Sequence, residues 1–369
     1  MDISFFKQNE LAEAQKFIKE HWNTNHVYVR NNDVVNHLFL NTPYRERNAG
    51  CGNYSILGGW EGSKVAGLLG VIPQEFNVAG RLFESFTASI WKIDKDNFPK
   101  ANGLELYDYV LTKFQNFNAC VLLGLSDIAY RIYADVYGWK KIDCFSRWIG
   151  INNFDKVAEI LLPKGTPEWL MPAIEAKEFE HSFKVLIDEL DESKWNDFYE
   201  NRFAPITIGT RRDYQFLQWR YLQSPVLRYH TIALEKEGKY YGIAVIRIEP
   251  IFDGKYSIGR ILEFMAVDAE ASVLLADEVI KFDKDVLMWD FYCLSGVTAF
   301  GLEAVGLRCI PAWMDKVMMP TRFQPVDYEH LNINGAVYIS DKIERIVRRL
   351  PSSVSWYITK GDSDQDRAN

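Results

Sequence analysis

Two stretches that lie far apart in the chain share one pattern, and this pattern decides the fold. Residues 53–72 read NYSILGGWEGSKVAGLLGVI, and residues 229–248 read YHTIALEKEGKYYGIAVIRI. In each stretch alternating apolar residues flank a polar turn, at residues 61–63 and 237–239, which is typical of two antiparallel strands joined in a hairpin. An offset of roughly 170 residues is too long for a solenoid repeat, so we interpret the chain as two copies of one domain. A chance resemblance of short strands is the alternative.

The correspondence between the two copies continues downstream of the hairpins. An apolar stretch at residues 120–124 (CVLLG) corresponds to residues 286–290 (VLMWD). In each copy a predicted helix then ends in a glycine followed by a bulky residue and a base, at residues 138–140 and 306–308. We therefore expect an α/β fold with two fused domains, each a twisted mixed sheet flanked by helices.

The domain boundaries follow from this repeat. We predict a catalytic domain over residues 1–155, a second domain over 156–345, and a C-terminal strand with a polar tail over 346–369. Within the first domain, apolar spacing predicts helices over residues 10–22, 103–117 and 127–137, and Ser126 is placed to be the N-cap of the last one. A strand near residues 145–150 is expected to close its sheet.

Composition and charge exclude several classes of protein. The 369 residues carry 42 basic and 50 acidic side chains, a formal net charge of −8, whereas a protein that binds the phosphate backbone of nucleic acids carries the opposite sign. Five scattered cysteines without a C-x-x-C pair argue against a structural zinc site and favour reduced thiols. No signal peptide and no apolar run of ~20 residues is visible. We expect a cytoplasmic protein that binds no metal, nucleic acid or membrane.

One loop of the first copy has the residues of an anion site. Residues 93–106 (IDKDNFPKANGLEL) leave a predicted strand and open a predicted helix. Lys100, Asn102 and Gly103 then lie at the helix N-terminus, where free backbone N–H groups and the helix dipole favour a phosphate or pyrophosphate. A plain turn before the helix is the alternative interpretation.

A second segment makes a family resemblance specific. Residues 126–139 read SDIAYRIYADVYGW. With the preceding loop, this segment resembles the GCN5-related N-acetyltransferase (GNAT) superfamily, whose later helix carries A-x-x-(I/L)-Y-x-x-x-G-(F/W). We expect residues 129–139 to match this motif with every fixed position filled, so that Tyr133 is the fixed tyrosine. The family's acyl-CoA loop, R/Q-x-x-G-x-G/A, is similar to residues 100–105 (KANGLE), with Glu105 in place of the second small residue.

The resemblance covers nearly the whole chain, and further features point to one group within the superfamily. Two fused copies, the segment 211–221 (RRDYQFLQWRY) and the ending TKGDSDQDRAN look like tandem acyltransferases of bacterial surface-polysaccharide gene clusters. This implies an N-acyltransferase that acetylates the amino group of a nucleotide-linked amino sugar for O-antigen or capsule synthesis. The implied donor is acetyl-CoA or another acyl-CoA, and the implied acceptor is the small-molecule amine.

The family pattern also implies roles for residues of the first copy. Tyr133 is implied as the general acid that protonates the leaving sulfur, and Glu84 as the general base. A splayed strand and the loop after it are implied to bind the donor, with backbone N–H groups polarising its carbonyl. The implied donor contacts are Ile90, Trp91, Lys92, Lys100, Asn102, Gly103 and Leu104. The alternatives are that Tyr133 only packs its helix, and that ordered water replaces the carboxylate.

Charged residues outside these segments are candidates for the acceptor site. They are His26, Arg30, Arg211, Asp213 and Arg220. The alternative for the first two is an ordinary surface ion pair or a hydrogen-bonded histidine. The alternative for the other three is an aromatic helix along which arginines snorkel toward solvent.

The second copy lacks both motifs. After Ala266 it reads VDAEASVLLADEVI, with neither a glycine nor a base at the predicted helix start, and its later helix has no tyrosine matching Tyr133. We expect this copy to shape the acceptor cleft rather than to bind acyl-CoA. The tail at residues 362–366 resembles the beginning of a calcium loop, but Arg367 stands where that loop requires glycine. We therefore expect a polar tail that folds back toward the cleft.

Two other functions stay open at this point. One is a FemAB-like transferase, which has tandem GNAT-like folds and uses aminoacyl-tRNA; the acidic charge balance and the helix with Tyr133 weigh against it. The other is a degenerate GNAT pair that binds without catalysis, which Glu105 favours. Stabilisation by acetyl-CoA, by RNA or by neither separates the three.

Overall fold

The computed structural model covers the whole chain, and ten ranges of it are described. They are residues 1–44, 52–113, 117–142, 145–162, 174, 181–295, 299–310, 319–323, 325–328 and 333–366. Cys51, Cys144, most of the connector between the predicted domains, and the end of the predicted helix 103–117 up to residue 116 lie outside these ranges. So do residues 297–298 of the second copy, which were compared with the segment of Tyr133.

The first half contains seven strands and six helices among the described residues. They are β1 (Asp2–Lys7), α1 (Leu11–His21), α2 (Val27–Arg30), α3 (Asn32–Phe39), β2 (Asn53–Glu61), β3 (Lys64–Val78), β4 (Arg81–Ile93), α4 (Gly103–Lys113), β5 (Ala119–Leu123), α5 (Asp127–Arg131), β6 (Lys140–Ile142), β7 (Arg147–Ile151) and α6 (Phe154–Ile160). Ser126 caps α5 as an N-cap serine should, because its side chain accepts from the Ala129 N–H.

The second half repeats the hairpin and the long helix of the first. Its elements are β8 (Lys184–Ile187), α7 (Glu192–Phe198), β9 (Thr207–Thr210), α8 (Tyr214–Leu217), β10 (His230–Lys236), β11 (Lys239–Ile251), β12 (Tyr256–Ala266), α9 (Ala269–Phe282), β13 (Met288–Leu294), α10 (Ala299–Ala304), β14 (Arg308–Ile310), β15 (Arg322–Phe323), β16 (Val326–Asp327), β17 (Gly335–Ile339), α11 (Asp341–Val347), β18 (Ser355–Trp356) and β19 (Ile358–Thr359).

Both hairpins predicted from the repeat are confirmed. β2 pairs with β3 and β10 pairs with β11, each antiparallel. The turns need left-handed backbone, which Gly62 supplies at φ +62° in the first hairpin and Gly238 at φ +74° in the second. The predicted α/β class is also confirmed, since both large sheets mix parallel and antiparallel pairs and carry helices.

The two sheets exchange strands, which corrects one prediction. The strand expected near residues 145–150 does not close the first sheet: β7 pairs with β13 and β14 in the second sheet. In return β17, from the second half, lies between β5 and β6 in the first sheet. Neither sheet is therefore built from one contiguous stretch on one side of residue 155. The hydrophobic pattern did not show this, because it specifies which face of a strand is buried and not which sheet receives it.

The faces of the first sheet carry different helices. Residues of α1, α2 and α3 pack with Ile56, Leu68 and Ile90 on one face. Residues of α4 and of the segment after α5 pack with Leu57 and Leu69 on the other. We call these the α1–α3 face and the α4–α5 face.

Candidate active site

The strands β4 and β5 run parallel but separate soon after they meet. Their last pair joins Phe86 to Cys120. Beyond it the strands diverge and leave a wedge between residues 87–93 of β4 and 121–123 of β5, which we call the first splay. A gap between two strands leaves backbone N–H and C=O groups without a ladder partner. Here the Val121 and Leu123 carbonyls accept instead from the side chains of Thr87 and Gln365.

A β-bulge lies in the first splay. Ser89 is opposite Gly70 and Trp91 is opposite Leu69, so Ile90 is an extra residue, and its φ is +47°. A left-handed β-branched residue is a strained outlier, and bulges and strain of this kind gather at functional sites. A side chain at Gly70 would meet the Ser89 carbonyl oxygen at 2.5 Å, so the close approach here requires glycine.

The helix that carries Tyr133 departs from the family motif by one residue. Four residues separate Tyr133 from Gly138, where the GNAT pattern has three, so the expectation of an unbroken match was wrong. The structure shows the physical reason: α5 continues into a π turn at Ile132–Val136. A π turn accommodates one extra residue inside a helix and is frequent at functional sites.

Tyr133 lies at the base of the first splay on the α4–α5 face. Its ring centroid is 5.0 Å from Tyr107, 5.6 Å from Trp91 and 4.9 Å from Trp139. Burial raises the pKa of the Tyr133 phenol well above its ordinary value, and a hydrogen bond with Tyr107 offsets only part of this rise. The phenol is therefore protonated at neutral pH and able to donate a hydrogen bond to an anionic sulfur.

The N-terminus of α4 fits an anion only in part. The side-chain oxygen of Asn102 accepts from the Leu104 N–H at 3.1 Å, so this predicted donor contact already caps the helix. Lys100 is exposed and available to a phosphate, but Glu105 is exposed in the same first turn. Lys92 is exposed at the end of β4 and adds a second cation. The start of α4 and the end of β4 thus present exposed charges of both signs.

Glu84 lies away from this site. It is half-buried and opposite Glu75, one residue before β4 and β5 begin to pair. Ile90 is the sixth residue after Glu84, which corresponds to about 20 Å along the strand. The structure does not bring Glu84 to the bulge, so its predicted role as general base receives no support.

His26 and Arg30, predicted acceptor contacts, line one open groove. Its other wall comes from the second half, with Arg322, Asp327 and Tyr328. The His26 ring contacts Tyr28 at 4.6 Å, and the Tyr28 hydroxyl lies beside Ser89 at the bulge, at 3.3 Å. The groove therefore runs between the two halves, and Tyr28 connects its His26 wall with Ser89 in the first splay.

The other three predicted acceptor contacts lie elsewhere. Arg211 pairs with Glu75 at 2.7 Å and with Glu200 at 2.8 Å, and Asp213 caps α8 by accepting from the Phe216 N–H. Arg220 is 5 % exposed, so the expectation that it snorkels to solvent was wrong. Its guanidinium instead donates to three backbone carbonyls of the tail. They belong to Gly361, Ser363 and Asp366.

The tail folds back between the two halves, as expected from its polarity. Residues from Tyr357 to Asp364 are 5 % exposed or less. Buried arginines anchor it: Arg212 donates to Asp362 at 2.6 Å, and Arg247 donates to Asp366 at 2.6 Å. Burial alone would raise the pKa of Asp366, but the charges of Arg247, Arg220 and Arg260 together outweigh it and hold that pKa well below the ordinary value.

The tail also occupies the gap between β12 and β13 in the second half. This gap corresponds to the first splay, and we call it the second splay. β12 carries a bulge at Leu262 and pairs with β13 only up to Ile261, as β4 does with β5. Here the tail strand β19 pairs with β13, and the Tyr357 hydroxyl accepts from the Phe264 N–H at 2.9 Å. The groups that a donor would contact in this second splay are already paired with the chain itself.

The buried His37 should make the stability of the protein fall with decreasing pH. Burial is the main cause that lowers the pKa of His37 to about 4, and the charge of Arg220 lowers it further. Asp364 and Asp366 line the same small pocket as His37. The unfolded chain, with a His pKa of about 6.5, binds the proton first as the pH falls, so stability is lost between about pH 6.5 and 4. In urea unfolding, His37→Gln should flatten this loss, and His181→Gln at an exposed residue should not. Equal slopes for wild type and His37→Gln would contradict the assignment.

Several solved proteins have a fold similar to that of this chain. No protein-family model and no curated protein matches the chain. A solved GCN5-related N-acetyltransferase from Anabaena variabilis is similar, with a TM-score of 0.55 at 13 % identity, over 82 % of this chain and 67 % of that one. The fold is that of the GCN5-related N-acetyltransferases.

Two further structures agree with this GNAT fold. A protein of unknown function from Enterococcus faecalis, described as a probable N-acyltransferase, has a TM-score of 0.55 at 13 % identity, over 84 % of this chain and 70 % of its own. Saccharomyces cerevisiae N-myristoyltransferase with bound myristoyl-CoA has a TM-score of 0.53 at 12 % identity, over 91 % and 78 %. In the described part of this GNAT-fold chain, no helix is long and apolar enough to cross a membrane, and no cluster of three or more metal-ligating side chains occurs.

Proposed function

We propose that this chain is an acyl-CoA-dependent N-acyltransferase, most simply an acetyltransferase, whose donor binds in the first splay. The observation that carries the proposal is the combination of separated strands, the bulge at Ile90 and the Tyr133 phenol at one place. Aminolysis of a thioester needs a binding site, groups that polarise the carbonyl and a group that stabilises the leaving sulfur. The separated strands, the bulge and the phenol are proposed to supply these in turn. The second splay, paired with the tail, has a structural role in this proposal.

The residues of the first splay have separate tasks. Backbone N–H groups around Ile90, Trp91 and Lys92 polarise the thioester carbonyl, since a bulge re-aims the backbone out of the strand ladder. Tyr133 donates a hydrogen bond to the leaving sulfur. Because burial raises the pKa of its phenol, Tyr133 keeps its proton and stabilises the departing thiolate through this hydrogen bond.

The acceptor is proposed to be a nucleotide-linked amino sugar that lies in the groove between the halves. Trp22 and Tyr328 are large aromatic side chains in this groove, 46 % and 42 % exposed, and aromatic faces stack on a nucleobase. Arg30 and Arg322 line the same groove, and guanidinium groups suit a diphosphate. A role in O-antigen or capsule synthesis belongs to this proposal. The buried Cys120 is a free thiol, which supports a reducing, cytoplasmic setting.

A binding and turnover screen tests this function. Acetyl-CoA should raise the melting temperature of the protein, and bulk RNA should not. Thiol release should then appear with at least one amine from a panel of UDP-glucosamine, UDP-galactosamine and dTDP-linked 4-amino-4,6-dideoxyhexoses. Stabilisation by RNA alone, or by neither ligand, would overturn the proposal.

Two charges at the start of α4 should act in opposite directions on the donor. We expect Lys100→Ala to weaken acetyl-CoA binding several-fold and Glu105→Gln to strengthen it several-fold, because both side chains are exposed near the proposed pyrophosphate site. Titration calorimetry at low salt measures both. Lys239→Ala, at the exposed hairpin turn of the second half, is the matched control and should leave the Kd unchanged. Changes of the same sign for both variants would place the pyrophosphate elsewhere.

A further inference from the structure

The tail places a carboxylate at the first splay. Asp364 accepts a hydrogen bond through Oδ2 from the Ser89 hydroxyl, and a second from the Tyr28 hydroxyl at 3.2 Å. The next residue, Gln365, donates its amide to the Leu123 carbonyl at 3.1 Å. Ser89 belongs to β4 and Leu123 to β5, and each lies three residues beyond the last pair of these strands. The tail therefore bridges the open mouth of the splay and holds the Asp364 carboxylate next to the bulge.

Asp364 and Tyr133 lie on opposite faces of the first sheet. Tyr28 packs on the α1–α3 face together with Ile90, whereas Tyr133 packs on the α4–α5 face with Tyr107. A carboxylate and a phenol thus flank the same splay from opposite faces. Aminolysis of a thioester needs a base near the acceptor nitrogen and a hydrogen-bond donor near the leaving sulfur, and these two groups can fill the two roles separately.

The position of Asp364 is fixed by contacts on both sides of it along the chain. Arg220 donates to the carbonyls of Ser363 and Asp366 at 2.8 and 3.2 Å. The Tyr229 hydroxyl donates to the Asp366 carboxylate at 2.6 Å. A side chain that belongs to a flexible terminus would not be held in this way, and a preorganised base is more effective than a mobile one.

We propose that Asp364 is the general base for the acceptor amine, an inference that rests on the function proposed above. The acceptor enters as an ammonium and replaces the longer hydrogen bond from Tyr28. Asp364 accepts one proton, and the freed lone pair forms the C–N bond while the C–S bond breaks and its electron pair goes to sulfur. Of the two protons that the nitrogen loses in forming the amide, one ends on the thiol and one in solvent.

The test uses Asp364→Asn in the full chain with acetyl-CoA and an active amine from the panel above. We expect kcat to fall by about 10²-fold or more at pH 7, with unchanged acetyl-CoA affinity. Activity should recover as the pH rises, since more amine is then neutral in solution. Hydroxylamine, which is neutral at pH 7, should lose far less than the sugar amine. Asp253→Asn, which removes an exposed carboxylate in the turn after β11, should leave both kcat and its pH profile unchanged.

A second variant keeps the inference testable if Asp364→Asn does not fold. Tyr28→Phe preserves the packed ring and removes one hydrogen bond to the carboxylate, so the rise of kcat/KM with pH should shift to higher pH. A wild-type profile in both variants, or an equal loss of activity for hydroxylamine and the sugar amine, would overturn the role of Asp364 alone. A wild-type protein that binds no acetyl-CoA and acylates no member of the panel would overturn the proposed function as well.

Discussion

Replacing Tyr133 with phenylalanine is expected to lower kcat by about 10²-fold and to leave the Kd of acetyl-CoA nearly unchanged. The phenyl ring keeps the packing against Trp91, Tyr107 and Trp139, and only the hydroxyl at the base of the first splay is lost. Because this hydroxyl stabilises the sulfur only as it leaves, its removal affects the transition state more than the bound donor. Thiol release under saturating acetyl-CoA measures kcat, and calorimetry measures the Kd.

The matched control for this variant is Tyr137→Phe. Tyr137 belongs to the same helix, and its hydroxyl donates to the exposed Asp108 at 2.9 Å. We expect its kcat to stay within about twofold of wild type, since a surface hydrogen bond contributes little. Wild-type turnover in Tyr133→Phe would remove the phenol from the reaction.

Replacing Arg212 with methionine is expected to lower the free energy of unfolding by about 3–5 kcal/mol. Its guanidinium, 1 % exposed, bonds to Glu263 at 2.8 Å and to Asp362 at 2.6 Å, and both carboxylates are as deeply buried. Removing the cation leaves two buried anions uncompensated and detaches the tail from the second half. Urea unfolding measures the loss.

An exposed ion pair provides the control for Arg212. Arg348 pairs with Glu344 one helical turn away at 3.1 Å, and its side chain is 73 % exposed. Arg348→Met should leave the free energy of unfolding nearly unchanged, because solvent screens such a pair. Equal losses in the two variants would show that the buried network does not anchor the tail.

The parts of the fold that depend on local sequence could be predicted, and the parts that depend on distant pairing could not. Alternating apolar residues around Gly62 and Gly238 were sufficient for both hairpins, and Ser126 was correctly predicted to cap its helix. The exchange of β7 and β17 between the sheets leaves no local signal, because a buried strand has the same apolar pattern in either sheet. β1 was not predicted, because its alternating pattern spans only six residues directly before a helix with a stronger pattern.

The candidate site shows the same division. Tyr133 is at the splay because a helix motif fixes its place relative to β5, and the extra residue is absorbed locally in a π turn. Glu84 was misplaced because a count of residues along β4 ignores where the pairing with β5 ends. Arg212 and Asp364 were missed because their partners lie far away in sequence; the one available signal was a tail rich in aspartate beside a segment rich in arginine.

The location of the donor is the central claim, and a crystal structure of the complex with coenzyme A tests it most directly. The account predicts the pantetheine arm between β4 and β5, with its sulfur within hydrogen-bond distance of the Tyr133 hydroxyl and the carboxylate of Asp364 on the other side of the sheet. Coenzyme A bound between β12 and β13 with the tail displaced, or bound away from both splays, would contradict it.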